Sequence, residues 1–292
     1  MNKIRVILDW TPDAKHSIIW AAQEEGFFGE YGLSVEMLGP PSKSANSLKM
    51  IHMGNAEIAI NYPHNLLLMR EEFPHLLSLG ALVKKNSQGL LSLKDKGIAV
   101  PENLQGMRIG IGPSPVSQSQ FEVFLSSNNL TENDVNLRIV GFEGEDLLLA
   151  DEIDALDAVQ YAIPRTVGKG REVNFIPYTD YGVPNSPFLV FISSSIWAEE
   201  HEEQIADFFK ASKKGFDRVK EWTSAEWKKY TDTIPGRNPE EEMVIWEKTL
   251  PLIDDGGKLF EHKISELERL QDILFQKGLL KRKYKITELF KG

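Results

Sequence analysis

Four side chains able to do chemistry crowd one short connection near the N-terminus: Trp10, Asp13, Lys15 and His16, with Thr11, Pro12 and Ala14 among them. An indole offers a flat face for stacking, while a carboxylate and an imidazole offer hydrogen bonds to a ring nitrogen or an amine. The preceding Lys3 to Asp9 reads as a buried strand. Ser17 to Glu25 reads as an amphipathic helix, with Ile18, Ile19, Ala21 and Ala22 apolar and Gly26 as its stop. The cluster thus falls at the carboxyl end of a first strand, where open α/β sheets receive ligands. Tyr62 holds the equivalent place after a third strand. Two aromatics converging there suggest a stacking clamp for a flat ring, with Asp13 and His16 as hydrogen-bonding candidates beside it.

A second connection, Gly110-Ile-Gly-Pro-Ser-Pro-Val-Ser-Gln118, has glycines for close approach, Ser114 as an N-cap and Pro115 at the favoured first helical position. Its N–H groups could hold a ligand oxygen or ring nitrogen; an ordinary capped helix start explains the same residues. It lacks both the Gly-Lys-Ser/Thr of a nucleotide loop and G-x-G-x-x-G spacing. The six histidines show no H-E-x-x-H or related spacing and there is no cysteine, so no metal site and no cofactor is expected. Without a G-x-S-x-G elbow a serine hydrolase is disfavoured, and no catalytic residue is assigned. The carboxylates Glu143, Glu145, Asp146, Asp151, Glu152, Asp154 and Asp157 have the spacing of a solvated acidic helix and strand edge.

The elements that must position these residues alternate strand and helix. Strands are expected at Lys3 to Asp9, Leu33 to Leu38, Glu57 to Ile60 and Leu76 to Val83, with helices at Ser17 to Glu25, Lys43 to Met53 and Asn65 to Glu71. The polar stretch from Lys85 to Gly97 interrupts the rhythm. It restarts with strands at Met107 to Ile111, Leu137 to Val140, Ile153 to Val159 and Val173 to Ile176, and helices at Val116 to Ser126 and Glu145 to Ala150. Phe188 to Ile192 is a final strand, and everything beyond Ser194 reads as helix, broken at Pro235-Gly236 and at Asp254 to Gly257. This is a βαβ pattern in two α/β lobes. Lobe one is expected over 1–85 and 190–292 and lobe two over 86–189, with the C-terminal helices packed on lobe one.

With 292 residues, 41% of them hydrophobic, the chain can bury a sizeable core. A net charge of -10 and a pI near 5.2 argue against nucleic acid or an anionic membrane surface. No stretch approaches the roughly 20 apolar residues of a membrane span.

The residues also carry a family signal. Leu8-Asp-Trp-Thr-Pro12, His16, Glu25-Gly-Phe-Phe28 and Tyr31-Gly-Leu-Ser-Val-Glu36 closely resemble the opening of the NMT1/THI5-like solute-binding proteins. The similarity continues through Ser92-Leu-Lys-Asp-Lys-Gly-Ile98, Leu104-Gln-Gly-Met-Arg-Ile-Gly110, Val140-Gly-Phe142, Ile153-Asp-Ala155 and Tyr181-Gly-Val-Pro184. The resemblance implies a hinged, two-lobed periplasmic-binding-protein fold of type II. It implies the solute receptor of an ABC importer, a monomer closing on a thiamine-related aminopyrimidine in the interlobe cleft. The partners implied are the small-molecule ligand and a membrane permease, at a periplasmic or extracellular, membrane-associated location after removal of an export segment. On this reading Trp10 and Tyr62 stack on the ring, Asp13 and His16 contact it from lobe one, and Ser114, Ser117, Gln118, Gln160 and Tyr161 from lobe two. Phe188 takes the approximate place where relatives carry an acidic residue, and Leu156 to Arg165 replaces their aromatic segment ending in Glu. Two alternatives stand beside this. One is a receptor for a sulfonate, nitrate or flavin, for which Lys15, Lys43 and Arg165 are the nearby cations. The other is the fungal branch, which makes a pyrimidine with pyridoxal phosphate and a cysteine-rich iron site; this chain has no cysteine where that branch clusters them.

Overall fold

The segment Asn2–Ile7, with buried Ile4, Val6 and Ile7, becomes an inner strand of a five-stranded sheet in the computed structural model, which describes residues 1–41, 45–141 and 143–291. In chain order, β1 (Asn2–Ile7), α1 (Ser17–Glu24), α2 (Phe27–Glu30), β2 (Leu33–Leu38), α3 (Ala45–His52), β3 (Ile58–Asn61), α4 (Pro63–Leu68) and β4 (Leu76–Val83) come first. They are followed by β5 (Gln88–Leu93), β6 (Arg108–Ile111), α5 (Pro115–Ser127), β7 (Asn136–Ile139), α6 (Gly144–Leu149), β8 (Ala155–Val159), α7 (Ile163–Gly168) and β9 (Val173–Pro177). Then come β10 (Leu189–Ser194), α8 (Ser195–Glu200), α9 (Glu202–Val219), α10 (Ser224–Thr231), α11 (Pro239–Ile253), α12 (Ile264–Gln276) and α13 (Ile286–Leu289).

These elements make two units. Unit one comprises Met1–Lys85, Ser186–Gln271 and Leu280–Gly292; unit two comprises Asn86–Asn185 and Asp272–Leu279. The sheet of unit one runs β2-β1-β3-β10-β4. β1 pairs in parallel with β2 along its whole length and with β3 through Val6↔Ile58 and Ile7↔Ala59, while β10 is antiparallel to β3 and β4. β3 and β4 are buried at every position, as strands covered on both faces must be. α9 can lie close against α1 because position 215 is glycine: a Cβ there would stand 2.2 Å from the Ile18 carbonyl oxygen. Phe208 of α9 stacks on Phe28 at 5.5 Å and meets Phe191 of β10 at 5.8 Å. Each such fully buried aromatic contributes about 1.5–3 kcal/mol.

The sheet of unit two runs β7-β6-β8-β5-β9, the same order with one antiparallel strand in fourth place. Its core gathers Phe121 and Phe124 of α5, Tyr178, Ile109, Ile111 and Leu90, with Ile273 packed on them.

Three boundaries differ from those read in the sequence. β5 lies where a polar interruption was expected, because its Gln88 and Ser92 are buried and hydrogen-bonded inside unit two. The return to unit one begins at Ser186 rather than at 190, since the Phe188 N–H already bonds the Val83 carbonyl at 2.8 Å. Residues 272–279, expected in lobe one with the other C-terminal helices, group with unit two through Ile273. Among the described residues, no helix is long and apolar enough to cross a membrane.

Candidate functional site

After β1 the chain forms a strap, residues 9–16, whose charged side chains turn inward. Asp13 caps the turn Ala14–His16: its Oδ1 accepts the Lys15 N–H at 3.3 Å, and its Oδ2 lies 2.8 Å from Lys15 Nζ. Lys15 Nζ also stands 3.5 Å from Asp9 Oδ2, and His16 Nε2 is 2.9 Å from Asp9 Oδ1. His16 Nδ1 lies 3.1 Å from both the N–H and Oδ1 of Asp13. The neutral ring accepts from the first, and the protonated ring donates to the second. Burial alone would raise the Asp13 pKa, but Lys15 and His16 outweigh it and hold that carboxyl far below its ordinary range. Burial likewise opposes the charges of Lys15 and His16, and the two aspartates overcome it, so both pKa values are raised.

The backbone of the strap is held from the C-terminal helices. Tyr230 donates to the Asp13 carbonyl at 2.7 Å, and Arg237 Nε to the Pro12 carbonyl at 2.9 Å. Glu242, fully buried on α11, accepts the Ala14 N–H at 2.6 Å and faces Arg237 at 3.4 Å. Against this buried frame Trp10 remains 41% exposed.

Tyr62 follows β3, the neighbour of β1, and is half-buried. Asn61 fixes its backbone, accepting the Tyr62 N–H at 2.6 Å while its amide donates to Ser47 at 2.7 Å. The Tyr62 ring meets buried Phe188 edge-on at 5.3 Å, and its phenol is near enough to act on the Lys15 charge. Two residues on, His64 is buried, and neither ring nitrogen has a hydrogen-bond partner. Burial lowers its pKa to about 3, so the ring is neutral.

In unit two, Ser114 caps α5, its hydroxyl accepting the Ser117 N–H at 3.1 Å. Beneath that cap lies Asp157 of β8, which takes Gln88 Nε2 on both oxygens at 2.9 Å, Tyr178 OH at 3.1 Å, the Ser117 hydroxyl and the Gly112 N–H. Burial pushes the Asp157 pKa up to about 6 despite these donors. Gln120 donates to Gln88 at 2.8 Å and accepts from Asn86 at 2.7 Å, extending the network.

Of the ten residues expected from the sequence, the structure brings Asp13 together with His16, Tyr62 with Phe188, and Ser114 with Ser117. Gln118 and Gln160 are exposed, and Tyr161 is buried. Asp13 and His16 are not open to solution; they are spent on the strap. Asp9, Gln88, Asp157, Tyr230, Arg237 and Glu242 were missed. Asp157 had one signal: a lone carboxylate inside the otherwise apolar Ala155-Leu-Asp-Ala-Val159 sits on a strand, not on a solvated edge. Lys43, one of the nearby cations, and Phe142, part of the Val140-Gly-Phe142 similarity, lie outside the described residues. Among the described residues, no group of three or more His, Asp or Glu is placed to hold a metal ion.

A family profile described as NMT1/THI5 like matches residues 13–222. The chain belongs to the NMT1/THI5-like family. Among relatives within it, the formylaminopyrimidine-binding protein of Halalkalibacterium halodurans is 26% identical over 219 residues, covering 74% of this chain. The chain spans just under two thirds, 66%, of the length of that relative. A putative thiamine biosynthesis protein of Haemophilus influenzae is 23% identical over 98% of this chain and 91% of its own. The 4-amino-5-hydroxymethyl-2-methylpyrimidine phosphate synthase THI11 of Saccharomyces cerevisiae is 24% identical over 81% of this chain and 73% of its own, so NMT1/THI5-like relatives include both binding proteins and enzymes. Among solved structures, the periplasmic aliphatic sulphonate binding protein SsuA of Escherichia coli gives a TM-score of 0.71 at 14% identity, covering 100% of this chain and 92% of its own. A Candida albicans protein described as having the generic periplasmic binding protein fold gives 0.65 at 15% identity over 100% and 96%. The fold of this NMT1/THI5-like chain is that of the periplasmic binding proteins, with two α/β units.

Proposed function

We propose that this protein is a solute-binding protein for a small heteroaromatic ligand, a thiamine-related aminopyrimidine, working with an ABC permease outside the cytoplasmic membrane. The observation that carries the reading is the exposed indole of Trp10, held on a strap whose every neighbouring charge is buried and paired. A large, partly exposed aromatic at the carboxyl end of a sheet, on a preorganised backbone, suits stacking on a flat ring and loses little entropy on binding. Tyr62, backed by Phe188, supplies a second aromatic at the next strand end. Asp13 and His16 act here as positioning residues beneath the strap rather than as ligand contacts. The formylaminopyrimidine named for the Halalkalibacterium relative supports this ligand class.

The reading is non-enzymatic. Support comes from the binding-protein relatives and from a sequence without cysteine, which cannot build the cysteine-rich iron site implied for the fungal branch. Lys15, the strap cation a sulfonate or nitrate would need, is already paired with Asp13.

The test is isothermal titration of the full chain with 4-amino-5-hydroxymethyl-2-methylpyrimidine and with its formylamino analogue, alongside native mass spectrometry of what copurifies. Saturable binding with quenching of tryptophan fluorescence is the expected result. A copurifying sulfonate or flavin, with no response to either pyrimidine, would overturn the reading.

A further inference from the structure

The head of α5 has the makings of an anion seat. A 13-residue helix begins there with an N-capping serine, and its N-terminus carries a positive partial charge with outward N–H groups. That seat is taken by the protein itself. Asp157 lies on the β8 face that turns toward α5, with Ala155 of the same face in the Phe121–Phe124–Tyr178 core. Four donor groups converge on its carboxylate: the Gln88 amide, the Tyr178 phenol, the Ser117 hydroxyl and the Gly112 N–H. Gly112 leaves room for this: a Cβ at that position would stand 3.1 Å from Ser117 Oγ and 4.0 Å from Asp157 Oδ2.

Resting on the solute-receptor reading above, we infer that Asp157 is the charge-selecting residue of this protein, a built-in carboxylate that turns the α5 head against oxyanions and favours a neutral or protonated amino-substituted ring. Two effects act together. The Ser117 and Gly112 donors at the helix head already serve a carboxylate, so an arriving phosphate or sulfonate would have to displace it to use them. The half-buried carboxylate also repels a second negative charge brought near it. An aminopyrimidine meets the opposite condition: its exocyclic N–H and any ring proton are stabilised by that same charge.

The experiment compares affinities of the full chain at pH 8 for 4-amino-5-hydroxymethyl-2-methylpyrimidine and for its phosphate ester, in the wild type and in Asp157→Asn and Asp157→Ser. The wild type should bind the alcohol at least ten times more tightly than the phosphate. Each variant should narrow that ratio below threefold, mainly by tightening on the phosphate. A thermal melt shows that each variant is folded, and the wild-type ratio decides by itself if neither is. Equal binding of both ligands by the wild type, or a tenfold preference kept in a folded variant, overturns the inference while leaving the receptor reading in place. Binding of neither pyrimidine by the wild type sinks the receptor reading and the inference with it.

Discussion

Arg5 and Arg108 make the same three hydrogen bonds in two different sheets. The Arg5 N–H and Nε reach Glu57 Oε2 at 2.6 and 3.1 Å, and Nη2 reaches Oε1 at 2.6 Å. The Arg108 N–H and Nε reach Asp154 Oδ2 at 2.8 and 3.0 Å, and Nη2 reaches Oδ1 at 2.7 Å. Each acid immediately precedes the strand beside its arginine, β3 in one unit and β8 in the other. The clamps fix parallel register at the amino ends of two sheets with the same strand order, and so place the opposite, carboxyl ends where Trp10, Tyr62 and the α5 head emerge.

Replacing Arg108 by methionine should therefore lower the stability of unit two modestly, because Asp154 loses its two guanidinium donors while water screens an arginine that is 45% exposed. The Arg108 contact also holds the Asp154 pKa below the carboxylate range. Urea unfolding followed by hydrogen exchange at β6 and β8 checks the effect, and a change below about 0.3 kcal/mol would show that the clamp is ornamental.

The strap should respond far more sharply. Lys15 is 2% exposed between two aspartates, so Lys15→Met leaves two buried carboxylates with only His16 to offset them and should cost about 3–5 kcal/mol. Adding Asp13→Asn to that variant should recover part of the loss, because the two changes remove opposite ends of one pair. Strictly additive losses in a double-mutant cycle would mean that the pair is not coupled.

Most of the architecture was legible in the sequence because its signal is local. The apolar runs of β2 and β4 are found at the same bounds in the structure, and the Ser114-Pro115 start of α5 reads directly as a cap. β5 was hidden because Gln88-Gly-Leu-Leu-Ser-Leu93 begins with a glutamine whose side chain is satisfied by partners distant in sequence, among them Gln120 and Asp157. Gly89, which looks like a turn residue, is there because a Cβ would sit 2.3 Å from the Ile176 carbonyl oxygen. In the candidate site, the place of Trp10 and Tyr62 after β1 and β3 could be read from the sequence. Tyr230, Arg237 and Glu242 could not, since their bonds to the strap cross more than two hundred residues and no short-range pattern marks them.

Trp10 gives a direct functional readout because its side chain is 41% exposed at the carboxyl end of β1. Trp10→Ala should weaken binding of the aminopyrimidine by about 2 kcal/mol, roughly thirtyfold in Kd, through lost stacking and lost area. The melting temperature should hardly move, given a side chain 41% exposed. Phe188→Ala should do the reverse in part, destabilising the fold through a residue 5% exposed as well as loosening Tyr62. Unchanged affinity in Trp10→Ala would remove the indole from the site.

The pH dependence of unit two isolates Asp157. Its pKa is raised by burial to about 6, above the value of an unfolded aspartate, so the folded state binds the proton more tightly than the unfolded state does. The stability it contributes is therefore fully present below about pH 4 and is lost as the pH rises through 6, a swing of about 3 kcal/mol. Asp13, whose pKa is lowered, works in the opposite sense, with stability present above its unfolded value and lost in acid. Because Asp13 is common to both proteins, the difference between the wild type and Asp157→Asn cancels it. That difference should shift in favour of the wild type by most of that amount, about 2.4 kcal/mol, between pH 7 and pH 4. Tyr178, which faces Asp157 and whose pKa burial and that carboxylate hold well above 10, stays protonated throughout and does not confuse the reading. Carbon-13 shifts of the Asp157 carboxyl should titrate with a midpoint near 6. A midpoint near 4, or a stability difference flat across that interval, would place this carboxylate in water rather than beneath the α5 cap.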